Sequence, residues 1–208
     1  TGESLRKVLP VPVIDMPQAL RIQPFEPVPR DIYGLKPGET VFLFVFDAAS
    51  SVERKNPFGL VRAFQGAFPR TREARLVIKV SRPQAEPHNM GKLRQMVAGD
   101  PRIILVERTM SRHELLGLMD AADCYVSLHR AEGLGLTMAE AALLGKPVIT
   151  TGYSGVLDFL DSTTALMVKH GMTTIQQDRP PFQKGWKWAD PDLTEAANLM
   201  RWVRAQPV

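Results

Sequence analysis

The stretch from Asp123 to Gly155 constrains this chain more than any other, because it predicts a complete βαβ unit. A short apolar run from Cys124 to Leu128 predicts a strand, and a Gly-containing turn follows it. The next segment has apolar residues at helical spacing, at Leu136, Ala139, Leu143 and Leu144. Gly145 ends that helix, and the β-branched run from Val148 to Thr151 predicts a second strand. The unit is therefore expected to be a parallel crossover, and ligands of such sheets bind at the carboxyl ends of the strands.

Two carboxylates lie in this unit, Glu132 in the turn and Glu140 in the helix. If the helix begins near Gly135, its free N–H groups face the turn that carries Glu132 and form a seat for phosphate. Glu140 would lie about 7 to 8 Å farther along the helix axis. One ligand could then contact all three features, with a sugar near Glu132, a diphosphate at the helix end and a ribose near Glu140. Taken alone, two glutamates at this spacing are more often simply solvated.

The rest of the chain from Val41 alternates strands and helices. Strands are predicted at 41–46, 74–80, 102–106, 124–128, 148–151 and 165–168. Helices are predicted at about 57–68, 88–98, 111–120, 154–160 and 192–204. This alternation predicts an α/β fold with a Rossmann-like, doubly wound parallel sheet, in one domain that covers residues 41–208. Residues 169–190 are expected to form a long polar loop.

The first forty residues contain seven prolines and no sustained period. They predict a Pro-rich linker or an extended edge segment rather than core. The chain begins without methionine and without the pattern of a signal peptide. We therefore expect it to be part of a longer protein.

Composition excludes several classes of protein. With 44% apolar and 23% charged residues the chain is typical of a soluble globular domain, and no apolar run approaches the roughly 18 residues of a membrane span. A single cysteine excludes an internal disulfide, and its place in an apolar strand predicts a buried, inert thiol at Cys124. The net charge of +4 suits an anionic ligand but does not identify one.

The segment AEGLGLTMAE, with two glutamates separated by seven residues, resembles the donor-site motif of retaining GT-B glycosyltransferases, in particular family four. The resemblance continues in SRHELLGLMDAADCYVSLHRAEG before it, in GKPVITTGYSGVLDFL after it, and in FDAASSVERKNPFGLVRAFQGAF at the start of the domain. It covers about residues 41 to 203. It implies one half of a GT-B fold, the carboxyl-terminal one, which binds a nucleotide-sugar donor. The acceptor would be bound mainly by a missing N-terminal domain, to which residues 1–40 would lead.

The resemblance also implies roles for particular residues. Glu132 would contact the donor sugar, and Lys55 would reach the leaving phosphates, so these two are the predicted catalytic residues. Glu140 would accept hydrogen bonds from the ribose hydroxyls. The diphosphate would be held by backbone N–H groups at Gly135, Leu136 and Thr137.

Further donor contacts are predicted around these groups, and some alternatives stay open. The family usually places an arginine directly after the first strand, where Phe46 and Asp47 stand here, so Arg54 is its expected substitute. His129 and Arg130 could either orient Glu132 or contact the donor. The remaining predicted contacts are Tyr153, Ser154 and Gly155 after the second strand of the unit, and Arg108, Thr109 and Met110 near the nucleobase. Val156 stands where relatives often have asparagine, which puts a sugar contact there in doubt.

No residue has the features of a covalent nucleophile with an adjacent base. The expected mechanism is electrostatic, and the leaving phosphate takes the proton of the acceptor. No metal and no cofactor beyond the nucleotide-sugar substrate are expected. The expected partners are a nucleoside diphosphate sugar, an unidentified glycan, lipid or protein acceptor, and the missing N-terminal domain. The expected location is the cytoplasm, with any membrane contact made through the missing half.

Other functions are less well supported by the sequence. A non-catalytic nucleotide- or partner-binding module of the same fold is the main alternative, favoured by Val156 and by the missing arginine. An epimerase on the same architecture would need further acid and base residues. The segment GLGLTM lacks the third glycine of a dinucleotide fingerprint, and HELLG lacks the second histidine of a zinc protease. The basic cluster Arg70, Arg72 and Arg75 has no interleaved aromatic residues, so nucleic-acid binding is not expected.

Overall fold

The computed structural model describes residues 5–14, 16, 18–178 and 180–206 of the chain, and a sheet of six parallel strands forms its centre. The strands are β1 (Thr40–Asp47), β2 (Ala74–Ser81), β3 (Ile103–Glu107), β4 (Cys124–Ser127), β5 (Val148–Thr151) and β6 (Leu166–Val168). Their spatial order is β3-β2-β1-β4-β5-β6, so the chain crosses the sheet between β3 and β4. The predicted α/β fold with a Rossmann-like, doubly wound parallel sheet is confirmed. The order reverses between β1 and β4, which is where such sheets bind ligands.

The helices that follow β1 flank this sheet. They are α1 (Val52–Lys55), α2 (Pro57–Ala67), α3 (Pro87–Val97), α4 (Arg112–Ala121), α5 (Leu136–Leu143) and α6 (Leu193–Ala205). The short helix expected at 154–160 is instead a 3-10 turn at Ser154–Asp158. Helix α1 was not predicted, because four residues are too few to show a helical period.

Strand β1 is buried on both faces and separates two layers of core. Phe42, Phe44 and Phe46 point toward α2, α3 and α6, whereas Val41, Leu43 and Val45 point toward α4 and α5. A strand with helices on both faces is expected to be apolar at every position. The sequence VFLFVF of β1 meets this expectation. Cys124 is fully buried in the first of these layers, and burial raises the pKa of its thiol.

Part of the N-terminal segment packs on the domain. Between residues 18 and 39 the one regular element is a 3-10 turn, Arg30–Tyr33. However, Leu35 is buried in the core layer of α4 and α5. Val28 lies so close to Gly117 of α4 that a Cβ on that glycine would be 2.4 Å from the valine side chain. The expectation that the segment lies outside the core is therefore wrong for Leu35.

The region predicted as a polar loop at 169–190 contains an antiparallel hairpin. Its strands are β7 (His170–Thr174) and β8 (Lys187–Pro191), with His170 opposite Pro191 and Thr174 opposite Lys187. On β8 the side chains of Trp188 and Ala189 are buried. The two arms carry few apolar residues and one ends in proline, so their sequences resemble a loop.

Candidate active site

Two loops at the carboxyl edge of the sheet bring the predicted catalytic residues together. Lys55, at the end of α1, forms an ion pair and hydrogen bond with the Glu132 carboxylate in the loop after β4. Arg54 approaches the same carboxylate, with 3.5 Å between its Nη1 and Glu132 Oε1. All three side chains are largely buried. One carboxylate is thus flanked by two cations at the point where the strand order reverses.

The backbone around α1 is bent so that its cations face β4. Ser51 has a positive φ of 69° and caps α1, and Asn56 has a φ of 56° and begins α2. Asn56 also fixes this bend to the sheet, because its Nδ2 donates to the Leu128 carbonyl at 2.9 Å while its Oδ1 accepts from Gly59 N at 3.1 Å. Asparagine tolerates the left-handed conformation better than most residues do.

Arg54 ties the two loops to each other. Its guanidinium donates to the Ser50 carbonyl at 3.0 Å and to the Ala131 carbonyl at 2.7 Å. Its own carbonyl accepts from Arg130 N at 2.8 Å. Arg54 therefore holds the loop that carries Glu132 as well as contributing charge to it.

The electrostatics favour a charged Lys55–Glu132 pair. Burial acts to raise the pKa of Glu132, but the positive charges of Lys55 and Arg54 outweigh it, so this pKa lies below its usual range. Burial lowers the pKa of Lys55, and the attraction of Glu132 opposes that shift. The two cations and one carboxylate leave a local surplus of positive charge.

His129 supports the loop rather than facing solvent. It is fully buried, and burial lowers its pKa, so the ring is neutral. Its Nε2 lies 3.1 Å from the Tyr153 carbonyl and its Nδ1 lies 3.2 Å from Ser127 Oγ. Since a carbonyl can only accept, Nε2 carries the proton and the serine hydroxyl donates to Nδ1. Arg130 points away to the hairpin, where it pairs with Asp190 at 2.6 Å.

The turn after β5 holds the backbone of Glu132. Ser154 Oγ donates to the Glu132 carbonyl at 2.5 Å and accepts from Glu132 N at 3.0 Å. Gly155 N donates to the same carbonyl at 3.0 Å. A Cβ on Gly155 would lie 1.9 Å from the Gly133 carbonyl oxygen, so only glycine fits. Tyr153, Ser154 and Gly155 thus contact the Glu132 loop.

The start of α5, where the sequence predicts a phosphate seat, has uncapped backbone N–H groups. Gly135 begins the helix with a φ of 83°, and no side chain caps the first turn. The N–H groups of Leu136 and Thr137 belong to that turn. A side chain on Gly135 would meet Met138 Cε at 2.6 Å and Val156 Cγ1 at 3.0 Å. The left-handed backbone and this close packing both require glycine.

Glu140 lies deeper in the same helix, with a side chain that is 3% exposed. Its Oε1 forms an ion pair with Arg112 Nη2 at 2.6 Å. Its Oε2 is buried and has no hydrogen-bond partner among the described residues. Of the predicted nucleobase loop, Arg108 and Thr109 are exposed and Met110 is half-buried. That loop leads directly to Arg112 and so lies on the Glu140 side of the site.

Sequence reasoning missed two basic residues at this edge. Arg112 escaped notice because its partner Glu140 is distant in sequence. Lys79 stands in the apolar strand β2 and is only 2% exposed; it hydrogen-bonds Ser81, and burial lowers its pKa. A lysine inside the apolar run RLVIKV is a signal that the sequence did offer.

Two cavities differ in their position relative to this site. A cavity of about 340 Å³ is bounded by Arg54 and Glu132 on one side and by Pro180, Pro181 and Phe182 of the hairpin loop on the other. A larger one, about 1020 Å³, lies at the opposite edge of the sheet and contains none of the predicted site residues. Among the described residues, no three His, Cys, Asp or Glu side chains are grouped so that they could hold a metal. None of the helices formed by those residues is long and apolar enough to cross a membrane.

Several solved structures share this fold. One described as an OtsA apo structure superposes with a TM-score of 0.66 at 14% identity, over 88% of this chain and 40% of the other. A UDP-forming trehalose-phosphate synthase from Burkholderia xenovorans in complex with glucose-6-phosphate gives 0.62 at 14%, over 86% and 38%. An E. coli structure bound with UDP-2-fluoro glucose gives 0.63 at 13%, over 88% and 40%. At such identities the likeness shows the fold alone, that of one Rossmann-like half of a GT-B enzyme.

This chain spans only 38 to 40% of the length of those structures. A search of curated proteins found no match. The family comparison is more informative, because the model of the glycosyl transferases group 1 family matches residues 39–176, more than half of the chain. The chain therefore belongs to the group 1 glycosyl transferases.

Proposed function

We propose that this chain is the donor-binding half of a retaining glycosyltransferase and that it binds a nucleoside diphosphate sugar. One observation carries the proposal: Lys55 and Arg54 from one loop and Glu132 from another converge at the carboxyl edge of the sheet. Membership of the group 1 family supports the class of reaction. A UDP-forming enzyme and a complex with UDP-2-fluoro glucose among the similar structures support a nucleoside diphosphate as the leaving group.

The cations suit the departing phosphate. When the bond between the sugar and the diphosphate breaks, negative charge develops on a phosphate oxygen. Lys55, Arg54 and the N–H groups at the start of α5 are placed to stabilise that charge. The attraction of Glu132 opposes the effect of burial on the pKa of Lys55 and holds the ammonium group at the edge where the phosphate would bind.

Glu132 is proposed to hold the hydroxyl groups of the donor sugar. Retention then follows if both bonds change on one face of the sugar. The bond from C1 to the phosphate oxygen breaks, the bond from C1 to the acceptor oxygen forms, and the acceptor proton passes to the departing phosphate oxygen. This route needs no covalent nucleophile, and electrostatic stabilisation is the main contribution of the protein.

The acceptor is proposed to bind mainly to an N-terminal domain outside this sequence. Without that domain the second reactant is not positioned, and positioning alone can contribute about 7 to 11 kcal/mol to catalysis. We therefore expect this chain to bind a nucleoside diphosphate, with micromolar or weaker affinity because closure against the other half is lost. We expect no transfer of sugar by the chain alone.

The test combines calorimetry with a donor-consumption assay on the same sample. UDP, GDP and ADP are titrated into the wild-type chain, Lys55→Met and Lys146→Met. Lys146 is a matched control, since it is also a partly buried lysine paired with a carboxylate, but its partner Asp120 lies at the opposite edge of the sheet. Lys55→Met should weaken binding of the preferred diphosphate about tenfold or more, and the control should not. Acceptor-dependent turnover by the chain alone would contradict the proposed missing half.

The alternative of a non-catalytic module has less support from the geometry than from the sequence. Val156 is fully buried and packs beneath Gly135, so its apolar side chain has a structural use. Arg54 supplies a cation near Glu132 although β1 ends in Asp47 rather than leading to an arginine. A wild-type chain that bound none of the three nucleotides would favour this alternative.

A further inference from the structure

We propose that Arg112 is a positioning residue of the nucleoside site, which holds the Glu140 carboxylate oriented toward the ribose. This inference rests on the proposed function, in which Glu140 accepts from ribose hydroxyls. It assigns a role to a residue outside the two-glutamate motif.

The contact itself is the first observation. Arg112 Nη2 lies 2.6 Å from Glu140 Oε1, and the carboxylate is 3% exposed whereas the arginine side chain is 37% exposed. Burial of a carboxylate is unfavourable unless an opposite charge and hydrogen bonds compensate for the lost water. Within the described part of the chain, Arg112 forms the one ion pair of Glu140.

The second observation is the other oxygen of the same carboxylate. Glu140 Oε2 is buried and has no hydrogen-bond partner among the described residues. An unsatisfied buried acceptor is unfavourable, and most such atoms in folded proteins are paired. A ribose hydroxyl is a donor that could satisfy it. Arg112 occupies Oε1 and thereby leaves Oε2 as the oxygen that is open to a ligand.

The position of Arg112 in its helix is the third observation. It is the first residue of α4, where the positive end of the helix dipole disfavours a cation. The helix start is already satisfied by a capping box between Ser111 and Glu114. Arg112 is thus not needed to form α4, and its ion pair with Glu140 is the interaction that accounts for its position. The same contact joins the predicted nucleobase loop before α4 to the predicted ribose carboxylate on α5.

The test compares a nucleoside diphosphate with its 2′,3′-dideoxy form by calorimetry, using whichever of UDP, GDP or ADP binds the wild-type chain. The wild-type chain should prefer the ribose form about tenfold or more. Glu140→Gln and Arg112→Met should both bring this ratio close to one, and Arg112→Lys should restore part of it. Arg204→Met is the control, because Arg204 is 33% exposed and pairs with Glu73 at 2.5 Å on the opposite edge of the sheet; its ratio should equal that of the wild type.

A purely structural role for Arg112 gives a different result. In that case Arg112→Met weakens both ligands equally and leaves the ratio unchanged, which would overturn the inference. If Arg112→Met alone does not fold, the double variant Arg112→Met/Glu140→Gln removes both charges together. Its ratio should equal that of Glu140→Gln, and a ratio that stayed at the wild-type value would also overturn the inference. A wild-type chain that binds no nucleotide contradicts the proposed function itself, and this inference with it.

Discussion

Glu132 and Glu140 come from the same βαβ unit and are both largely buried, yet their surroundings differ in charge. Glu132 lies between Lys55 and Arg54, so its neighbourhood keeps a surplus of one positive charge. Glu140 is balanced by Arg112 and has one oxygen without a partner. A surplus of positive charge suits an anion such as a diphosphate, and a balanced carboxylate with an open oxygen suits a neutral hydroxyl. Under the proposed function, the start of α5 and Glu140 would contact two chemically different parts of one ligand.

The largest effect is expected from Gly155→Ala, which disturbs the Glu132 side alone. The new Cβ would clash with the Gly133 carbonyl, so the loop must shift. The free energy of unfolding should fall by about 2 to 3 kcal/mol, the upper part of the range for overpacking. Affinity for the diphosphate should fall with it, as measured by urea unfolding and calorimetry. Gly66→Ala is the control, because nothing lies within 4 Å of a Cβ there; an equal effect of both substitutions would show that the close contact does not matter.

Glu140→Ala should weaken ligand binding at the predicted ribose carboxylate and leave the Glu132 loop unchanged. Loss of a charged acceptor for ribose hydroxyls should weaken binding by about 1 to 3 kcal/mol, for the nucleoside and for its diphosphate alike. The measurement is calorimetry with both ligands on a sample whose folding has been checked by circular dichroism. Unchanged affinity in the folded variant would show that the ribose does not contact Glu140.

A smaller effect is expected on the pH dependence of stability, through the buried His129 that supports the Glu132 loop. Burial lowers the folded pKa of His129 below its unfolded value of about 6.5. At a pH below that value the unfolded chain binds more protons than the folded one. The stability contributed by the neutral His129 ring is therefore fully present above about pH 6.5 and is lost as pH falls toward the folded pKa. The contribution of His129 to the slope of the unfolding free energy against pH should be at most about 1.4 kcal/mol per pH unit.

Urea unfolding between pH 5 and 8 measures this dependence. His129→Gln should flatten it, whereas His88→Gln should not, because His88 is exposed. Equal slopes for the wild type and His129→Gln would mean that this histidine is not buried as a neutral ring.

The smallest effect expected is that of salt. Added salt screens the attraction between the cations near Glu132 and a diphosphate, so raising it from 0.1 to 1 M should weaken diphosphate binding severalfold. Binding of the uncharged nucleoside near Glu140 should change less. Parallel salt dependence of the two ligands would contradict the difference in local charge.

The sequence predicts best the parts of the molecule whose residues are apolar and periodic. Strand β1 and the βαβ unit around α5 were found because their apolar positions follow the period of the element. The hairpin was missed because β7 has no buried residue and the buried positions of β8, Trp188, Ala189 and Pro191, do not alternate regularly. Leu35 was missed because the proline-rich segment around it packs without any period.

Within the site, the sequence located the backbone features better than the contacts. The start of α5 at Gly135 follows from local chemistry, since glycine is favoured where φ is positive. The contact between Arg112 and Glu140 joins two helices on the same side of the sheet, and only the fold brings them together. The orientation of Arg130 toward Asp190 depends on the hairpin, which the sequence did not predict.

The most direct test of the central claim measures two variants against two ligands. Lys55→Met and Glu140→Gln are each titrated with the preferred nucleoside diphosphate and with the corresponding nucleoside. Our account predicts that Lys55→Met loses affinity for the diphosphate and keeps its affinity for the nucleoside, whereas Glu140→Gln loses affinity for both. If Lys55→Met weakened both ligands equally, or if Glu140→Gln affected only the diphosphate, the division of the site into a phosphate part and a ribose part would be contradicted.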